Sequence, residues 1–303
     1  MSDFIQYLHD WLWTYIWQHL PTMPFGSWMA DLVYWLRDNW QGLFGTLQTG
    51  FETTYEGLAD ALLWLPSGVM VIIFALIAWL ARSWKLGLAM GAGAFLIAWT
   101  PFWASAMDTL AMVIVSTIIA TLIAIPLGIW TSESPTLSKM ARPVLDFMQT
   151  LPAFVYLIPV VMLFEVGPVP GIIATIIFCM PPGVRFTELG LRQVDKETVE
   201  AGQAFGASPL TILTRIKIPL ALPTIMAGLN QVIMLSLSMV VIAGLVGGGG
   251  LGQEIDKALG NLDLAAGFNA GLGVAFLAIF LDRVTQGISD RTPVARAARI
   301  ANG

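Results

Sequence analysis

From Ile218 to Gln253 the chain carries no charged side chain. A run of that length, rich in Leu, Ile, Val and Met, is at home in hydrocarbon, where a spanning helix satisfies its own backbone donors and acceptors. Shorter runs of the same kind recur from Ala61 onward, and only 12% of the 303 residues are charged while 56% are hydrophobic. Soluble proteins carry about 25% charged residues, and here the mean hydropathy is +0.75. The expected fold is therefore an all-α integral membrane protein.

A crossing needs about 20 apolar residues, within a range of roughly 17–25. On that measure seven spans are expected, at 61–81, 86–103, 109–130, 147–165, 169–184, 222–246 and 266–282. The fifth is short and holds Pro181 and Pro182 near its exit. The sixth is trimmed to one crossing by Pro219 and Pro223 in front and Gly247 to Gly250 behind. An eighth span remains open if Trp28–Leu47 crosses.

The first 60 residues have a different character. Phe4, Ile5, Leu8, Trp11, Leu12, Tyr15 and Ile16 recur at helical spacing, with Asp3, Gln6, Asp10 and Gln18 elsewhere on the wheel. Pro21 and Pro24 stop this segment, and Leu32, Trp35, Leu36, Trp40, Leu43, Phe44 and Leu47 form a second one. Both read as amphipathic helices lying on the bilayer, where Trp and Tyr favour the headgroup level. An aromatic cage for a cationic ligand is the competing reading. Stripes at helical spacing normally face membrane or core instead. No basic leader region marks a cleavable signal.

Loop charges orient the spans. Arg82 and Lys85 follow the first, Lys139 and Arg142 the third, and Arg185, Arg192, Lys196, Arg215 and Lys217 the fifth. Arg283, Arg291, Arg296 and Arg299 follow the seventh, so only Arg37 and Lys257 fall on the opposite side. The positive-inside rule then puts the N-terminus outside and the C-terminus in the cytoplasm.

One loop on the cytoplasmic side is structured. In Val194 to Pro219, Asp195 is placed to cap a short helix whose Val199, Ala201, Ala204 and Phe205 offer a partly apolar surface. Gly206 suits the turn out of that helix. Ser208 and Pro209 supply an N-cap and a first-turn proline for a second short helix. A helical elbow kept in water suits contact with another protein; a loop hugging the headgroups is the plainer alternative.

Other motifs carry less. Gly247, Gly249 and Gly252 match GxGxxG, but they follow a membrane span instead of a strand, so a glycine turn is the better reading. No GxxxxGK[ST] appears, and the chain therefore brings no P-loop of its own. Cys179 lies in an apolar run, and His9 and His19 form no metal-ligand cluster. No metal, cofactor or catalytic constellation is expected, and no basic patch suits a nucleic acid. Thr117, Thr121, Thr175, Asn230, Gln231, Ser236 and Ser238 either line a path or tie helices together. Asp108 and Glu165 sit near outer span ends, and no carboxylate is expected deep in a span. Ser236, Ser238, Ala243 and Gly244, with Gly267, Ala270, Gly271 and Gly273, permit close approach of the sixth and seventh spans.

Glu200-Ala201-Gly202, Gly206, Ile216, Ile218 and Pro219 resemble the EAA motif of ABC importer permeases, EAA-x3-G-x9-I-x-LP. The chain departs from it at Gly202 for the second Ala and at Ile218 for Leu. Over roughly Asp108 to Gly287, the strings LDFMQTLPAFVYLIPVVMLF, IIFCMPPGVRFTELG, LALPTIMAGLNQVIMLSLSMVVIAGLVGGGGLGQEI and FLAIFLDRVTQ are similar to the permease subunits of glycine betaine/proline betaine uptake systems.

The resemblance implies a type I (MetI-like) importer transmembrane domain at 106–287, after two additional membrane helices at 61–105 and an outer region at 1–60, with a cytoplasmic tail at 288–303. It further implies a non-enzymatic permease of the inner membrane, working as a homodimer in lipid. The implied partners are an ABC ATPase subunit, met by the coupling segment 194–219, and an extracytoplasmic substrate-binding protein. In such a permease Glu200 pairs or caps at the dock, Gly206 makes the bend, and Pro219 fixes re-entry into the membrane. Choline and trimethylamine N-oxide are alternative substrates; a channel or a membrane enzyme is the alternative class.

Overall fold

Prolines and glycines set where the helices begin and end. The computed structural model describes residues 2–13 and 24–291. Tyr15, Ile16, Gln18, His19 and Pro21 of the first amphipathic segment lie outside them, as do Arg296 and Arg299 of the tail. The chain divides into two units, 1–41 and 42–303.

In the first unit, α1 (Ser2–Trp11) exposes Phe4, Ile5, Tyr7 and Leu8. The second helix, α2 (Phe25–Asn39), has no fully buried residue. It ends at Trp40, so the expected second surface helix through Leu47 is divided. Leu43, Phe44 and Leu47 belong instead to α3 (Gln41–Trp64).

In the second unit, α3 continues past residue 60 and lays Phe51, Tyr55, Leu58 and Leu62 on the main core. It stops before Pro66, because proline disfavours helical backbone in the residue before it. The next helix, α4 (Ser67–Ala81), leaves at 101°. The same device divides the fourth expected span. α7 (Pro135–Thr150) ends at Leu151, which is extended ahead of Pro152, and α8 (Ala153–Phe164) departs at 94°. At about 1.5 Å per residue, the 12-residue α8 is too short to cross alone. The same holds for the 15-residue α5 (Trp84–Ala98). The seven expected crossings thus resolve into two bent pairs, short α5 and four full-length helices. Those four are α6 (Trp103–Glu133), α9 (Pro168–Arg192), the stretch Pro209–Gly244 and α14 (Leu264–Ser289).

Two helices outrun their expected ends. α9 passes through Pro181 and Pro182 to Arg192, where a soft end near 184 was expected. Pro182 leaves the Phe178 carbonyl without its helical donor, and Gln149 Nε2 donates to that oxygen at 3.1 Å. α14 runs to Ser289, which moves Asp282 from the span's end to its interior. There Asp282 Oδ1 accepts from Asn230 Nδ2 at 3.0 Å and Gln286 Nε2 at 2.6 Å. Asn230 is thereby a tie between helices, as is Ser236, whose Oγ donates to Cys179 Sγ at 3.1 Å.

The core is centred on α9, which packs between α6 and α12 (Ile218–Gly244). Phe74 meets Trp103, Phe276 and Phe280 edge-on beside it. Lipid is as apolar as leucine, so close packing, and not escape from water, holds such helices together. Beyond α12, Gly247, Gly249 and Gly250 take φ of 85°, 84° and 64°, a region closed to most other residues. They turn the chain back into α13 (Gly250–Gly260), which wedges against α6, α12 and α14. The sixth and seventh spans, α12 and α14, pack on each other as expected, but some of their glycines serve α13 instead. Gly244 meets the backbone of Gly252 and Gln253, Gly273 meets Leu251, and Gly271 faces open space.

Candidate functional site

The segment after α9 folds as an elbow, built by local rules. Asp195 Oδ1 accepts from the Glu197 amide at 3.1 Å and starts α10 (Lys196–Ala204). At the other end the Gly206 amide donates to the Gln203 carbonyl at 2.8 Å, and the Ala207 amide to the Gly202 carbonyl at 3.1 Å. These are the two bonds of a Schellman turn, and Gly206 takes the left-handed φ of 78° that it requires. Ser208 Oγ then accepts from the Thr211 amide at 3.3 Å, with Pro209 opening α11 (Pro209–Ile212).

The second arm differs from the separate short helix expected. From Leu213 to Lys217 the chain makes a π-helical turn and passes without a break into α12. Pro219 cannot donate to the Arg215 carbonyl and crowds it, and the ladder widens there, with the Ile218 amide bonded to the Leu213 carbonyl. A lever joined continuously to a core helix is the result.

The seven EAA-like residues divide by direction. Gly202, Ile216, Ile218 and Pro219 are partly buried, whereas Glu200, Ala201 and Gly206 are exposed. Gly202 lies against Ile216: a Cβ there would come within 2.6 Å of Ile216 Cδ1 and 3.7 Å of Ile212 Cγ1. The motif's first and third blocks thus close the elbow on itself. Ile218, with Val194 and Leu213, packs on Leu191, Ala221 and Ile225 to root it in the bundle. At the outer surface Phe205 is 93% exposed and Leu210 69%. Phe205 was legible as part of an apolar surface; Leu210 was not singled out, although it follows the capping pair directly.

Charged groups fasten both roots. Lys217 Nζ reaches Glu133 Oε1 at 2.8 Å, near the end of α6. Arg192 Nη2 donates to the Thr131 carbonyl at 2.9 Å, and its Nε meets Glu188 Oε1 at 3.0 Å. Glu188 is buried and also accepts from Ser138 Oγ of α7 at 2.6 Å. Between the arms and α6 lies a polar cleft of about 290 Å³, lined by Glu133, Arg192, Lys196, Glu200, Gln203 and Lys217. Sequence reasoning passed over Glu188 and Ser138; the spacing of Glu188 and Arg192 was a visible helical pair, but their partners lie 50 and more residues away. Among the described residues no group of three or more His, Cys, Asp or Glu is placed to hold a metal.

Comparison with known proteins places this architecture. Residues 120–292 match the family described as binding-protein-dependent transport system inner membrane component. The chain is 43% identical over 270 residues to the glycine betaine/proline betaine transport system permease protein ProW of Escherichia coli, covering 89% of this chain and 76% of that one. It is 41% identical over 269 residues to the glycine betaine transport system permease protein OpuAB of Bacillus subtilis, covering 89% and 95%. With the trimethylamine N-oxide transport system permease protein TmoV of Ruegeria pomeroyi it shares 34% identity over 277 residues, 87% of this chain and 42% of that one. In fold alone it is similar to a chain of the MetNI methionine ABC transporter, with a TM-score of 0.53 and 22% identity over 62% of this chain and 92% of that one. The chain belongs to the family of inner membrane components of binding-protein-dependent transport systems.

Proposed function

We propose that this chain is the permease subunit of an ATP-driven importer for glycine betaine, proline betaine or a related quaternary amine. The elbow carries the proposal. It joins a bend fixed by Gly206 to exposed Phe205 and Leu210 at the tip and a root buried in the bundle. That is the form of a lever, exposed where a partner grips and rigid where it enters the membrane. The partner is an ABC ATPase subunit, as the likeness to ABC importer permeases implies. Glu200, Ala201, Gly202, Gly206, Ile216, Ile218 and Pro219 form the coupling segment, with Glu200 on the docking surface and Ile216 and Ile218 holding the lever to the bundle. Closure of the ATPase pair moves the elbow, and the attached helices rock to open the path alternately to either side.

The elbow end of the bundle faces the cytoplasm in this reading. Arg142, Arg192 and Lys217 lie at the elbow roots, and Lys257 lies beyond the glycine turn on α13, which supports the reading through the positive-inside rule. An extracytoplasmic binding protein delivers substrate to the face opposite the elbow, and two copies of the permease form the path.

Uptake of labelled glycine betaine, choline and trimethylamine N-oxide by permease, ATPase and binding protein in proteoliposomes tests the assignment. ATP-dependent uptake of glycine betaine that vanishes without the ATPase is the expected result. Uptake that persists without the ATPase would make the chain a channel. Failure with all three solutes would remove the substrate class.

A further inference from the structure

We propose that Glu188 and Arg192, with Ser138 and the Thr131 carbonyl, form a charged latch that carries elbow movement into α6 and through it to the glycine turn. They are then positioning residues of the coupling step. The inference rests on the reading of the elbow as the ATPase dock.

The latch begins with a carboxylate in an unfavourable place. The Glu188 side chain is 9% exposed, and a buried charge is tolerated only when paired and hydrogen-bonded. Its Oε1 accepts from Ser138 Oγ at 2.6 Å and meets Arg192 Nε at 3.0 Å, with Arg142 Nη2 further off at 3.8 Å. Arg192 uses the fork of its guanidinium to reach a second helix, donating from Nη2 to the Thr131 carbonyl at 2.9 Å. Only arginine offers donors in that fixed fork. Three helices, α6, α7 and α9, are thus tied at one point, two residues before Val194 opens the elbow.

The elbow's other root returns to the same place. Lys217 Nζ meets Glu133 Oε1 at 2.8 Å, so both roots are fastened to the last turn of α6. Beneath the latch α6 and α9 are in close contact. A Cβ on Gly128 of α6 would lie 2.5 Å from Thr187 Cβ and 2.7 Å from the Val184 carbonyl of α9. Movement of the elbow is thereby passed to the last turn of α6. At the far end of α6, Thr109 Oγ1 accepts from the Leu251 amide at 2.8 Å, directly after the glycine turn. One helix thus connects the dock on one face to the turn on the other.

The test uses the complete importer in proteoliposomes and reads substrate taken up per ATP hydrolysed, together with the ATPase retained on the purified permease. Arg192→Lys keeps the charge beside Glu188 but cannot also reach the Thr131 carbonyl. Glu188→Gln keeps the Ser138 bond and removes the ion pair. Each is expected to retain the ATPase while uptake per ATP falls about tenfold. Ser138→Ala, which spares both charged contacts, is expected to show a smaller fall. A merely structural role would reduce assembled importer and leave the ratio unchanged; an unchanged ratio in Arg192→Lys overturns the latch. If Glu188→Gln does not insert, Arg192→Lys decides alone. The elbow reading fails by a different signal. Phe205→Asp, at the exposed tip and outside the cleft that holds Arg192, would then show the wild-type ratio and ATPase content, and the latch would fall with it.

Discussion

Replacing Gly206 separates the cost of a backbone turn from the cost of crowding. The residue sits at φ 78°, and a Cβ built on it meets nothing within 4 Å. Any penalty is therefore conformational. An L-residue in the left-handed region costs roughly 1–2 kcal/mol, less for Asn. The turn is held by the Gly206 and Ala207 amides, bonded to the Gln203 and Gly202 carbonyls, each worth about 0.5–1.5 kcal/mol net. Alanine's strain is thus comparable to or smaller than what the two bonds supply, and Gly206→Ala is expected to keep the bend. A β-branched residue at positive φ is a true outlier, so Gly206→Val opens the turn and misdirects Phe205 and Leu210. Titration of purified ATPase against each permease variant in detergent reads the difference. Asn is expected to bind within about twofold of wild type, Ala about fivefold weaker and Val 30-fold weaker or more, at about 1.4 kcal/mol per tenfold. Equal affinity for Val and Asn would refute the reasoning, because it would show that the bend does not present the dock.

Two other substitutions probe the elbow, one at its exposed tip and one at its inner contact. Phe205→Asp is expected to leave insertion and thermal melting unchanged, since the side chain is 93% exposed, while weakening ATPase binding at least about tenfold as loss of an apolar anchor does; retained affinity in pull-down titrations would exclude Phe205 from the dock. Gly202→Ala is expected to be tolerated, because the atom it meets is the terminal Cδ1 of Ile216 and helix propensity returns about 0.8–1.0 kcal/mol; a fall in melting temperature beyond that of the parent would show that Ile216 cannot yield.

The elbow was legible because its signals are local. Asp195, Gly206, Ser208 and Pro209 each act on backbone groups within a few residues, and each does so in the structure. The membrane class followed from composition, and the basic residues from Arg82 to Arg291 could be sorted by side because alternate loops collect them. Span lengths were less legible. Pro66 and Pro152 lie within apolar runs long enough to cross, and hydropathy does not register a proline that ends a helix. Pro181 and Pro182 do not stop α9; Gln149, 33 residues ahead of Pro182 in the chain, supplies a donor to the Phe178 carbonyl that Pro182 leaves free. Whether a proline breaks or merely decorates a helix depends on such a distant partner. The burial of Glu188 was hidden for the same reason: a glutamate four residues before an arginine reads as a solvated pair until Ser138 and Thr131 are brought beside it.

The two ends of the bundle use opposite chemistry for one mechanical purpose. At the elbow end, charged side chains hold helices that must transmit force, and removing one partner of a buried pair leaves an uncompensated charge. Such a joint resists opening. At the other end, Gly247, Gly249 and Gly250 hold positive φ and α13 is seated by backbone contacts, including Gly252 against the Val241 carbonyl. There the close fit comes from omitted side chains, and among the described residues Lys257 of α13 pairs with Glu254 on the same helix. A displacement carried along α6 therefore arrives, through the Thr109–Leu251 hydrogen bond, at a region seated by close packing and not by ion pairs to other helices. In an alternating-access cycle, a stiff input and a more easily rearranged far end allow a small movement of the dock to be expressed as a change at the opposite face.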